Sequence, residues 1–155
     1  MEQKLEIVAC CDGRIIPLRE VGDPIFSQRL AGDGAAIVPS SAQFVAPIDG
    51  TVRLIFKGSH SMVIETDEGT NLMVHIGINT VTLNGKGFTP HVKRGDKVKK
   101  GDPLVDIDLE TMKQNKVDLT TMILVMEPRL VRNLEIKTSG EAKKNETTLI
   151  KFNTQ

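Results

Sequence analysis

Of the three histidines in this chain, two, His60 and His75, flank a turn signal at Asp67-Glu68-Gly69. If runs 61–66 and 71–76 are the strands of a hairpin with an even-length loop, strand alternation puts both imidazoles on one face. A two-residue loop makes them direct partners and a four-residue loop makes them diagonal ones. An odd loop would send them to opposite faces. The even arrangement also places Met62, Ile64 and Met73 on the histidine face, with Gly58 and Gly77 leaving backbone space beside it. Paired imidazoles suit two chemistries: metal binding, or nucleophilic transfer in which one ring attacks and the other donates hydrogen bonds. A zinc centre needs a third protein ligand; Asp33 or Asp49 could reach, though nothing in their spacing requires it. The remaining histidine, His91, follows Pro90 beside Lys93 and Arg94 and reads as a solvated loop residue.

The elements that must position such a pair are short strands. Glycine and proline punctuate the chain about every ten residues, and the runs between them are rich in β-branched residues. Strands are predicted at Glu6–Ala9, Gly13–Pro17, Ala35–Pro39, Gln43–Ala46, Gly50–Phe56, Met62–Thr66, Asn71–Ile76, Lys97–Val98, Pro103–Ile107, Met122–Met126 and Thr148–Phe152. Two helical turns are predicted: 23–32, with Asp23 as cap, Pro24 at the first position and Gly32 as terminator, and 108–116. The fold class is therefore all-β, an antiparallel sandwich or barrel-like form with short helical turns, as one domain over residues 1–155. The pattern Val92-x-x-Gly95-x-x-Val98-x-x-Gly101-x-x-Leu104 is echoed loosely around Gly140 and Asn145, where Asn stands in for a glycine.

Composition excludes several classes. The 155 residues carry 20 basic and 20 acidic side chains, a balance unlike that of a dedicated nucleic-acid binder. No apolar run approaches the ~18 residues of a membrane span. Trp and Tyr are absent, so stacking platforms for bases or sugars are not expected. Cys10 and Cys11 are adjacent and offer no disulfide framework, and the start of the chain shows no signal-peptide pattern. A cytoplasmic location is the expectation. Lys97, Lys99 and Lys100 read as a charged strand edge that discourages aggregation.

The run Val74-His75-Ile-Gly-Ile-Asn-Thr-Val81, followed by Leu83-Asn-Gly85-Lys-Gly87-Phe88, resembles the phosphohistidine segment of glucose-family IIA proteins of the bacterial sugar phosphotransferase system. The resemblance extends to Gly32–Ile37, Val45–Val52, His60 and the Val92–Leu104 glycine pattern. It implies an antiparallel β-sandwich and a phosphocarrier without a cofactor. His75 would accept a phosphoryl group from the histidine phosphocarrier protein and pass it to a cysteine of a IIB domain. His60 would hydrogen-bond the phosphoryl group. Met62, Met73 and neighbouring aliphatic side chains would form the apolar docking surface, with Asp33 as an acidic contact for a partner arginine. Regulatory targets are a further kind of partner. Two positions depart from the family: Asn79 stands where Asp is usual, and Gly58 where Thr is usual, with Ser59 beside it.

Three alternatives are weighed against this. Val92–Leu104 followed by Glu110-Thr-Met-Lys113 resembles a biotinyl or lipoyl carrier, with Lys113 as the modified residue, but the lysine falls two residues late and Gln114 replaces the usual methionine. A lysostaphin-like zinc peptidase would need a histidine where Met73 stands and another upstream of His60. A non-catalytic regulatory relative would use the same face to bind partners.

Overall fold

The computed structural model describes residues 2–155. In chain order the strands are β1 (Lys4–Val8), β2 (Gly13–Pro17), β3 (Asp33–Pro39), β4 (Gln43–Val45), β5 (Gly50–Ile55), β6 (Ser61–Glu65) and β7 (Asn71–Ile76). They continue with β8 (Phe88–Pro90), β9 (Lys97–Val98), β10 (Pro103–Ile107), β11 (Thr121–Val125), β12 (Val131–Ile136), β13 (Glu141–Ala142) and β14 (Thr148–Thr154). Two short helices, α1 (Pro24–Ser27) and α2 (Leu109–Gln114), complete the regular elements along with three 3-10 turns. All strand pairs are antiparallel.

One eight-stranded sheet has the order β13-β2-β3-β11-β7-β6-β5-β9, and two three-stranded sheets have the orders β1-β14-β12 and β4-β10-β8. The main core lies between them. It collects Ile15, Ile37, Val52, Met62, Ile64, Leu72, Val74, Ile76 and Ile123 from the large sheet and Ile7, Phe44, Leu104, Val105, Ile150 and Phe152 from the small ones. A second apolar cluster, with Ile16, Leu18, Val21, Phe26, Ala36, Met122 and Leu124, covers the outer face of the large sheet. Residues that alternate along β3, β7 and β11 therefore feed two different cores, which is why these central strands read as continuous apolar runs.

Helix α1 starts as its sequence predicts: the Asp23 carboxylate accepts the Ile25 N–H at 2.9 Å and Pro24 takes the first position. It ends early. Arg29 adopts φ 60°, so the left-handed stop falls three residues before the expected Gly32. Strand β12 is not evident in the sequence because it is mostly exposed and interrupted by Asn133 at φ 55°, where its register against β14 shifts. Strand β9 forms one edge of the large sheet, with Lys97 exposed on it, matching the expected charged edge.

The glycine echo is half of a larger internal repeat. Ala9-x-x-Asp12-Gly13 and Ala46-x-x-Asp49-Gly50 cross each other, with Val8 N–H donating to Pro47 O at 2.9 Å and Val45 N–H to Cys10 O at 2.8 Å. Each segment receives one of the two echoing turns. Gly101 N–H donates to Ala46 O and Asn145 N–H to Ala9 O, while Lys100 N–H and Lys144 N–H donate to Asp49 Oδ1 and Asp12 Oδ1. Asn145 holds φ 63° at the position matching Gly101, φ 90°, and its amide packs over that glycine. Replacing Asn145 by Gly should cost little, whereas Asn145→Ala should lose up to about 1 kcal/mol, because alanine keeps the β-carbon that disfavours the left-handed conformation and lacks the short polar side chain that lets Asn adopt it. Denaturant unfolding of the two variants reads the difference.

Candidate active site

The hairpin β6–β7 has Glu65 opposite Asn71, and its turn is closed by Thr66 N–H to Thr70 O at 2.9 Å, leaving the loop Asp67–Gly69. Gly69 at φ 91° supplies the left-handed residue that such a loop requires. This loop is odd, contrary to the even-length expectation. Ser61, not His60, lies opposite His75. Met62 and Ile64 accordingly point into the main core, Met62 being 1% exposed, and Met62 is not part of a docking surface.

His60 nevertheless reaches His75. It lies outside β6, as the last residue of the turn that joins β5 to β6: Phe56 N–H donates to Ser61 O, and Ser59 N–H to Phe56 O. Gly58 at φ 97° and Ser59 at φ 66° reverse the chain just before it, so strand alternation does not govern its side chain. The two rings sit 5.2 Å apart at 78°. Gly58 also explains one family departure. A β-carbon there would meet Gly85 N at 3.1 Å, and its φ disfavours any other residue, so a threonine does not fit this backbone.

Three segments wall the pair. Phe26 of α1 packs on His75 at 4.8 Å, Phe56 lies edge-on to His60 at 6.2 Å, and Met122 of β11 pairs across the sheet with His75. Met73 shares the face of His75 and packs with Met122 and Leu124. Phe26 and Met122 were not singled out in the sequence. They come to the site by folding back of α1 and by β-pairing, and neither has a local signal. Beside this wall Ile25, next to Phe26, and Phe56 itself stay exposed as an apolar rim, and Val81, six residues beyond His75 in the chain, is exposed as well.

His60 is 4% exposed and His75 half-buried. Burial first, then the neighbouring His60 ring, lowers the pKa of His75 to about 4, while the Gly77 carbonyl and the Asp23 carboxylate oppose the shift. Burial also lowers His60, with the Lys57 carbonyl pulling the other way. Both rings are therefore neutral near pH 7. The Nδ1 atom of each is buried and makes no well-formed hydrogen bond, so the open side of each ring is Nε2. The carboxylate that acts on His75 is Asp23. Asp33 is instead held by its own neighbours, accepting from Arg29 Nε at 3.1 Å and from Gly34 N–H at 2.9 Å. Asn79 is exposed at φ 58°, a conformation Asn tolerates well.

The other candidates lie elsewhere. His91 Nε2 is 2.9 Å from Asp106 Oδ2 at the surface, and Lys113 stands exposed in the last turn of α2. Cys10 and Cys11 are buried and free, with the Cys11 thiol pushed up by its contact with Cys10 and by burial. A cleft of about 960 Å³ is lined by Phe44, Val45, Val98, Asp102 and Lys144 and includes neither site histidine. The imidazole pair lies on an apolar sheet face, a shape that suits a protein surface.

Residues 5–130 match the family described as "phosphoenolpyruvate-dependent sugar phosphotransferase system, EIIA 1". The chain belongs to this family. It is similar to the "PTS system glucose-specific EIIA component" of Oceanobacillus iheyensis, 38% identical over 90% of this chain and 87% of the relative. It is similar to the "glucose permease IIA from Mycoplasma capricolum", with a TM-score of 0.86, 36% identity and 96% of each chain covered. The "PTS system mannose-specific EIIBCA component" of Corynebacterium glutamicum is 39% identical over 96% of this chain, which spans 22% of that longer relative. The protein is thus an EIIA phosphocarrier of the sugar phosphotransferase system, with an all-β antiparallel fold. Among the described residues no helix is long and apolar enough to cross a membrane.

The lowered pKa has a consequence for stability. Between pH 6.5 and about 4 the unfolded His75 ring binds a proton that the folded ring does not. Stability is then full above that window and falls as pH drops through it, by up to about 3 kcal/mol from this ring. Thermal melts between about pH 7 and 4.5 should show a smaller loss of Tm for His75→Gln than for wild type.

Proposed function

We propose that His75 is the phosphoryl acceptor of this EIIA, that His60 is its hydrogen-bonding helper, and that the phosphoryl group comes from the histidine phosphocarrier protein and leaves to a IIB-domain cysteine. The observation that carries the reading is the His75 ring itself, neutral with a pKa of about 4, its Nδ1 buried, 5.2 Å from a second neutral imidazole. A lone pair on the open Nε2 attacks phosphorus as the donor's N–P bond breaks, and the leaving nitrogen keeps that electron pair. The proton on Nδ1 of His75 stays on the ring, facing the Gly77 carbonyl. Little covalent chemistry is asked of the protein beyond positioning and charge stabilisation. Docking on the apolar rim would exclude the water that hydrolyses phosphohistidine.

Relatives in which EIIA shares a chain with B and C components support the IIB domain as acceptor. Since these relatives are named for different sugars, we assign sugar choice to those other components. The 155 residues act as one unit, and two buried free thiols suit a cytoplasmic setting. Met73 joins the docking face, with Asp23 and Asn79 as its polar contacts. Asp33 is the weaker candidate for a partner arginine because Arg29 already engages it.

Incubation with phosphoenolpyruvate, enzyme I and the histidine phosphocarrier protein should add one phosphoryl group by intact mass. His75→Gln should abolish the gain; His60→Gln should retain it and slow onward transfer. Phosphate mapped to His60 in the wild type would reverse the assignment.

Asn79 gives an electrostatic test. Its side chain is exposed, so one added charge there is worth about 0–1 kcal/mol. Asn79→Asp should raise the rate of phosphorylation no more than several-fold, and added salt should erase the gain. A large loss of rate would mean that the amide itself makes a specific contact.

A further inference from the structure

Among the described residues four buried side-chain polar atoms lack a hydrogen-bond partner, and three of them belong to His60, Ser61 and His75: Nδ1 of each ring and Oγ of the serine. The carbonyls of Lys57 and Gly77 lie beside the two rings. The serine hydroxyl has nothing comparable. Ser61 is 1% exposed, and an unpaired buried hydroxyl is costly.

Its location is set by the sheet. Ile76 N–H donates to His60 O at 2.7 Å, which makes 60 and 76 a hydrogen-bonded pair. The adjacent pair, Ser61 with His75, is then of the close, non-hydrogen-bonded kind, with Cα atoms about 4.5 Å apart and side chains on the same face. On its other side Ser61 is tied to Phe56, whose N–H donates to Ser61 O at 2.9 Å, so the hydroxyl stands between β7 and the Phe56–His60 turn. It borders the reacting ring and has a proton to give.

We propose that Ser61 is a third hydrogen-bonding residue of the site, its Oγ–H donating to a phosphoryl oxygen once the group is carried on His75. The inference rests on the reading of His75 as acceptor. A phosphoryl group brings three strong acceptor oxygens to a place where one buried donor is unpaired, and a hydrogen bond to a charged oxygen is stronger than one between neutral groups. Serine needs only to rotate about χ1 to make it. The hydroxyl would thus be unsatisfied in the free protein and satisfied in the phosphorylated one, favouring uptake of the group.

The test is Ser61→Ala, which removes the hydroxyl and leaves the strand intact. Wild type and variant are mixed with the phosphorylated histidine phosphocarrier protein, and the equilibrium distribution of phosphate is read by intact mass. The expected result is a shift of roughly five- to tenfold toward the donor in the variant. The unphosphorylated variant should melt at the same temperature as wild type or higher. An unchanged equilibrium constant would overturn the inference alone. So would a fall in Tm of the unphosphorylated variant, since the hydroxyl would then have a partner in the free protein. A wild type that takes up no phosphoryl group would instead bring down the acceptor reading, and this inference with it.

Discussion

In the proposed reaction an imidazole attacks phosphorus near neutral pH and needs one ring nitrogen bare, and the removal of the His75 ring from water is the physical feature on which that reading depends. Desolvation is the largest cause of the lowered His75 pKa, ahead of the effect of His60. Phe26, Met122 and Met73 do the desolvating, and each arrives from a different element. A ring left in open solvent would be half protonated near pH 6.5. The ring here stays neutral well below that value, while its Nε2 side remains open to an incoming group.

The fold makes this possible because the large sheet is apolar on both faces. Its inner face joins the two small sheets in the main core, which holds β7 in place between β6 and β11. Its outer face carries the second cluster, and His75 is a member of that outer row. A slip of one residue along β7 would bury His75 in the main core and expose Val74 and Ile76, so packing of the inner face enforces the register of the site. The chain covers the outer face incompletely. What it leaves bare includes Ile25, next to the Phe26 that packs on His75, and Phe56, which packs on His60, where a partner protein could complete the coverage.

Much of this was legible in the sequence. The short-strand grammar, the Asp23-Pro24 helix start and the glycine-type turns follow from local chemistry and appear where expected. The even-loop pairing that brings the histidines together in the sequence is not the one the chain uses. The β6–β7 loop is odd, and alternation alone would have separated the rings. They meet because Gly58 and Ser59 take His60 out of the strand, a left-handed turn that one sequence does not announce when Ser occupies one of its positions. The same parity error placed Met62 at the surface. Phe26, Met122 and Asp23 carry no local sequence signal as site residues because their proximity to His75 is a tertiary fact, and Asp33 is engaged by Arg29, four residues before it.

The most direct measure of this account is the protonation of His75 itself, followed by nitrogen-detected magnetic resonance of the imidazole rings as pH is lowered. The account predicts a ring that is neutral at pH 7, carries its proton on Nδ1 with Nε2 bare, and titrates near pH 4. A ring that titrates near 6.5, or that carries its neutral-form proton on Nε2, would contradict it.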